Sequence, residues 1–233
     1  MTTPSLIGAG DTTSITSASP TANASGVSGW TPQAGDLVLY TWNSNSQAAT
    51  IAVPDGWFNP LGGTTIAASA TNSGGVVGHL VTSAEATAGT KTWTLTGLFT
   101  ANNGGRAFAL VIRGVDPVAP INTAAYNPGP SPITATMTVP DVTPTVSEGI
   151  VVGIAGPDAT NRTVGNFADP WVTDAVRQQN SSTCLIVGHC ATATVAGSTY
   201  PGTTSTLNGA DESFGIAVVV APPNILGRFF ALF

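Results

Sequence analysis

Charge is what this 233-residue sequence has least of. Only 8% of its residues are charged, against roughly 25% in an ordinary soluble domain. Lys91 is the single lysine, and the six basic residues face twelve carboxylates, for a formal net charge of −6. That balance excludes nucleic acid as an expected partner, because phosphate binding needs clustered Lys and Arg. It is equally unsuited to an anionic membrane surface. No run approaches the ~20 apolar residues of a bilayer span. Residues 1–24 lack the basic start and apolar run of a secretory signal. The expectation is a protein made and kept in the cytoplasm, or released by lysis.

Cysteine and histidine are nearly as scarce. Cys184 and Cys190 flank the strand-like run Cys-Leu-Ile-Val-Gly-His-Cys. In an extended chain six steps of ~3.3 Å place them roughly 20 Å apart, beyond the ~7 Å Cα limit of a disulfide. They read as two small buried hydrophobes. A zinc site of Cys184, His189 and Cys190 fails because adjacent residues of a strand point to opposite faces. His79 and His189 are the only histidines, each within a Val-Gly-His triplet, and a packing role is expected for both. The carboxylates, Asp36, Asp116 and Asp141 among them, are scattered over strand ends and turns. No phosphate-binding glycine loop, nucleophile elbow or calcium loop is present. The chain is therefore expected to carry no catalytic residue, no metal and no cofactor.

What the sequence has in quantity is strand and turn. It holds 27 Gly and 17 Pro, with abundant Thr and Val, which favour strands and the turns between them. Thr90–Thr96 alternates Trp93 and Leu95 against threonines, and Ile133–Val139 alternates Ile133, Ala135, Met137 and Val139 against threonines. Both predict half-buried strands. Unbroken apolar runs at Asp36–Trp42, Ala107–Ile112, Ile150–Ala155 and Phe214–Ala221 predict strands covered on both faces. No interior segment shows a helical period. The fold class expected is all-β: a single antiparallel β-sandwich, jelly-roll-like.

The chain also reads as two diverged copies of one half. Asp36-Leu-Val-Leu matches Glu148-Gly-Ile-Val-Val, and Pro54-Asp-Gly-Trp57 matches Asp169-Pro-Trp171. Val77-Gly-His79 matches Val187-Gly-His189, and Arg106-Ala-Phe108 matches Glu212-Ser-Phe214. The expected organisation is an N-terminal arm over 1–30, a sandwich over 31–222 with halves at about 34–118 and 147–222, and a tail over 223–233. Trp57 and Trp171 are expected to plug the ends of the sandwich, with Trp42 and Trp93 buried. Trp30, Tyr126 and Tyr200 sit in loop-like contexts and are the candidate contacts for a glycan.

The tail departs in style. After Pro222-Pro223, Asn224 is placed to cap a short helix, with Ile225, Phe229 and Phe233 at i, i+4 and i+8 and Leu226 and Phe230 beside them. Ten residues do not hold a helix alone in water, so this apolar stripe must dock, on its own sandwich or on a neighbouring chain.

At Trp30–Leu39, Val53–Trp57 and Arg113–Pro120 the chain resembles a group of structural proteins of bacteriophages infecting actinobacteria, minor tail proteins or virion structural proteins. The likeness lies in a Gly-Asp opening a buried strand, a Pro-x-Gly-Trp turn and a Gly-Val-Asp…Pro segment, and spans most of residues 12–222. It implies a non-enzymatic virion protein, assembled in the host cytoplasm and released by lysis. Its expected partners are other virion proteins and itself, as a homo-oligomer such as a trimer. A capsid decoration protein and an adhesion module for host cell-wall glycan are the alternatives. The resemblance transfers no site residues and does not include the tail from Asn224.

Overall fold

A computed structural model describes residues 3–11, 15, 17–44, 51–62, 65–66, 73–99, 105–127, 134–157, 162–179, 182–211 and 213–224. In chain order its elements are β1 (Ser5–Asp11), β2 (Thr21–Asn23), β3 (Leu37–Ser44), β4 (Ile51–Ala52), β5 (Thr65–Ile66), β6 (Ser73–Leu80), α1 (Ser83–Ala88), β7 (Thr92–Thr94) and β8 (Gly105–Arg113). The second half follows with β9 (Ile121–Asn127), β10 (Thr134–Thr138), β11 (Ile150–Pro157), β12 (Trp171–Gln179), β13 (Ser182–Cys190), β14 (Thr204–Asp211) and β15 (Ser213–Val220).

The four unbroken apolar runs become central strands. One sheet has the order β1-β8-β3-β6 and the other β12-β13-β11-β15-β9, with antiparallel pairing throughout. The sheets pack face to face. Leu37, Leu39, Phe108, Leu110 and Ile112 of the first meet Val152, Ile154, Phe214, Ile216 and Val218 of the second in one shared cluster. Each such side chain, fully buried, contributes about 2 kcal/mol by loss of hydrated apolar area. Val38, Tyr40, Trp42, Ala109 and Val111 point the other way, under the two-stranded ribbon of β2 and β7 and its loops. On the far side Val151, Ala217 and Val219 lie under the ribbon of β10 and β14. Both faces of both sheets are thus covered, so these strands need no polar alternation.

The two halves use one plan. β1, β8, β3 and β6 stand in the order of β9, β15, β11 and β13, and each outer ribbon takes the second and the penultimate strand of its half. The turn into the third strand also recurs. The N–H of Gly35 (φ 86°) donates to Val81 O, and the N–H of Glu148 (φ 63°) donates to Thr194 O. Among the described residues β12 has no full counterpart; in the first half Phe58 pairs with Gly78 at that edge.

The all-β antiparallel sandwich forms as expected, each of its two sheets drawn from one half of the chain. Other expectations differ from what forms. Residues 83–88 form a helical turn despite the lack of apolar period. Its cause is a capping box in which Thr82 and Glu85 satisfy each other's backbone N–H, closed by Gly89 in the left-handed conformation. Ala135 is exposed although Met137 and Val139 are buried, because the β10–β14 register shifts between Thr134 and Thr136. Trp57 is only partly buried, while Trp42, Trp93 and Trp171 are core residues.

Candidate functional site

The two halves are joined by Gly114–Pro120, and that junction is organised by one carboxylate. Asp116, 9% exposed, accepts at Oδ1 from the backbone N–H of Val118 at 2.8 Å and of Ala119 at 3.0 Å. Its Oδ2 accepts from the N–H of Asn224 at 3.1 Å. The Asp116 N–H donates to Ala221 O, and the Ala221 N–H donates to Pro120 O. The connection and the end of the described chain are therefore laced together. The tight turn this imposes pushes Val118 outward, where it is 90% exposed. Beside it lies a groove of about 610 Å³, lined by the apolar Ala119, Ile121, Val146, Ala221, Pro222 and Pro223 and by the polar Asp116, Asn122, Ser147, Glu148 and Asn224. An exposed valine beside a groove of mixed lining makes this end a candidate docking surface.

Ile225, Leu226, Phe229, Phe230 and Phe233, the expected docking stripe, lie outside the described residues. The chain is described up to Asn224, on the rim of the groove.

The three rings considered for sugar stacking are not brought together. Trp30 belongs to the outer cluster of the first half, Tyr126 packs against the cluster between the sheets, and Tyr200 packs against the outer cluster of the second half. Trp30 is 2% exposed; its indole N–H donates to Asp36 Oδ2 at 2.8 Å. The Lys91 ammonium sits 5.7 Å from its ring centroid and donates to its carbonyl oxygen. The Tyr126 hydroxyl is buried and has no hydrogen-bond partner among the described residues; burial raises its pKa. The Tyr200 hydroxyl is spent locally, donating to Ala193 O and accepting from the Val195 N–H, both at 2.8 Å. A stacking platform needs an open ring face, and these three share none.

The histidines are paired with acids, which the sequence did not suggest. His79 Nε2 faces Glu85 Oε2 at 3.0 Å and Nδ1 faces Gly56 O at 2.8 Å. Trp57 and Trp93 lie against the imidazole, with ring centroids 5.1 and 5.6 Å away. Glu85 also accepts from the Trp93 indole and from the N–H and hydroxyl of Thr82. Partial burial raises the Glu85 pKa, but the hydrogen bonds from Thr82, His79 and Trp93 outweigh it and bring it down to about 2. His189 Nδ1 meets Asp174 Oδ2 at 2.8 Å. The two Val-Gly-His triplets are not equivalent in space: Val77 belongs to the outer cluster of its sheet and Val187 to the cluster between sheets. His79 and His189 accordingly point to opposite sides of their sheets.

Cys184 and Cys190 are buried on the face opposite His189, with the Cys184 thiol donating to Arg162 O at 2.7 Å. Among the described residues no three His, Cys, Asp or Glu side chains converge on a metal position. The strongest ion pair is structural: Arg113 grips Asp36 with Nε to Oδ1 and a terminal nitrogen to Oδ2, both at 2.8 Å. Burial raises the Asp36 pKa, yet the bonds from Arg113, Trp30 and the Gln33 N–H hold it below the usual carboxylate value. This network fixes the turn that starts β3.

No family model, curated protein or solved structure matches the chain.

Proposed function

We propose that this chain is a non-enzymatic bacteriophage virion structural protein, of the minor tail class, that works by packing against other proteins. The observation that carries the reading is the junction end of the sandwich. There an exposed valine stands beside a groove of mixed lining that includes Asn224, the residue next in sequence to the apolar run Ile225–Phe233. Charge scarcity supports the same reading. A surface covered with Thr, Ser, Asn and apolar atoms loses little hydration energy when buried against a neighbour, whereas a charged one loses much. β9, an edge strand of its sheet, offers a further row of backbone groups for pairing with a neighbouring subunit or a second copy.

Two experiments test the proposal. Antibody-labelled electron microscopy of intact particles should place the protein on the tail. Label spread over the shell would instead assign it to capsid decoration, and particles without label would overturn the virion reading. Truncation after Asn224 should abolish incorporation into particles while leaving the circular dichroism spectrum and Tm of the sandwich in place. Normal incorporation of the truncated chain would remove the segment from the attachment mechanism.

A further inference from the structure

We infer that β9 is a self-pairing edge: two copies of this chain join their five-stranded sheets by antiparallel pairing of β9 with β9 about a twofold axis. The inference rests on the packing reading above and names the partner for one of its surfaces. β9 closes the order β12-β13-β11-β15-β9, and all 7 of its residues are half-buried. Among the described residues no strand or isolated bridge pairs with its outer side. In an antiparallel strand every second residue turns its N–H and C=O away from the paired neighbour. The stretch Thr123–Tyr126 therefore presents backbone donors and acceptors along that edge.

The other edges of the two sheets are guarded. β6 is buried from Gly74 to His79, with Phe58 bridged to Gly78. β1 breaks its register between Leu6 and Gly8 and ends in Asp11. β12 breaks register between Thr173 and Ala175 and again between Arg177 and Gln179, and it carries Asp174 and Arg177. Cover, bulges and charges are the means by which sheets keep their edges from pairing. β9 has neither a charged residue nor a proline. Its register shift lies at the Ile121 end, and from Thr123 onward it runs evenly along β15.

The absence of charge also points to the occupant. An uncharged edge gives no electrostatic means of selecting a different protein, and it sets no like charges together when it meets itself. A twofold axis centred on Ala124 or Ala125 places two alanines against each other, so the backbones approach without conflict between side chains. Such an isologous contact uses up both edges, and assembly by this route stops at two chains. One short strand buries less than the ~800 Å² per partner of a standard interface, so the dimer forms in a concentration-dependent way.

Sedimentation of the full-length chain from low micromolar to near-millimolar concentration tests the inference. The expected result is a monomer–dimer equilibrium with no trimer. Thr123→Lys sets a charge on the edge and should raise the dimer dissociation constant at least tenfold, with the circular dichroism spectrum unchanged. Hydrogen exchange needs no variant: as the parent's concentration rises, the amides of β9 should gain protection and those of β1 and β12 should not. A chain that stays monomeric throughout, a trimer, or a dimer whose β9 amides gain no protection would overturn the inference. Particle labelling reads the virion proposal separately, because β9 can pair in a protein that is absent from particles, and a particle protein can be monomeric when free.

Discussion

Four donors converge on the Glu85 carboxylate, and this makes a single side chain responsible for part of the acid sensitivity of the molecule. Its pKa stands at about 2 in the fold against an ordinary value of 4.5. The unfolded chain therefore takes up this proton first. The stabilisation is fully present above pH 4.5 and is lost as pH falls from 4.5 through 2. The Tm difference between the parent and Glu85→Gln should be constant above pH 5 and shrink over that window. A gap that persists undiminished to pH 2 would refute the assignment. Glu148 makes the opposite kind of prediction. It is exposed and sits at φ 63°, where a non-glycine residue costs about 1–2 kcal/mol and glycine adds back about 0.4–1 kcal/mol of unfolded-state freedom. Glu148→Gly should therefore stabilise by about 0.5–1 kcal/mol and raise Tm by about 2 °C, measured by thermal melting. The reverse change at the matching position, Gly35→Glu, should lower it. Little of this was legible beforehand. The Thr82-x-x-Glu85 spacing is a readable capping signal, but that Glu85 also serves His79 and Trp93 depends on how β6 and β7 come together.

Among elements, the central strands were the most legible. Their unbroken apolar runs describe a surface buried on both sides, and that is where β3, β8, β11 and β15 stand. The alternating Thr90–Thr96 run placed Trp93 and Leu95 inward correctly, because a half-buried strand writes its period into the sequence. Ile133–Val139 was less faithful, since a register shift is a property of the partner strand as much as of the strand read. Nor does local sequence tell which residues of one sheet must be small to admit the other. Gly74 of β6 is such a position, for a Cβ built there would lie within the ring of Phe214 from β15. That ring is 1% exposed and has nowhere to retreat. Gly74→Ala should cost about 2 kcal/mol by overpacking, read from urea denaturation. Combined with Phe214→Leu, the total loss should be smaller than the sum of the two single losses; strict additivity would mean that the two residues do not share the space.

At the scale of the whole molecule, the duplicated plan raises the question of whether the halves are independent. The inner cluster draws on both sheets, and Asn43 at the end of β3 donates across to Pro157 O and Cys184 O, each at 2.7 Å. Separating the halves would expose that cluster and strand those bonds. Thermal unfolding should therefore be one cooperative transition with calorimetric and van't Hoff enthalpies in agreement, and two resolved transitions would show that each half folds alone. The junction end was the least legible part, since Asp116 builds it by reaching a residue 108 positions away, and no local pattern records such a tie. Lys91 bears on how such a subunit can be studied in place. It is the only lysine, and its ammonium is held at 2.6 Å by the carbonyl of Trp30, beneath that residue's own ring. With a single, half-buried lysine amine to offer, the chain would be joined by lysine-directed cross-linkers far less than a lysine-rich neighbour. Carboxylate-directed reagents, with exposed acids such as Asp55, Asp141, Glu148 and Asp169 to address, would register it in the same experiment.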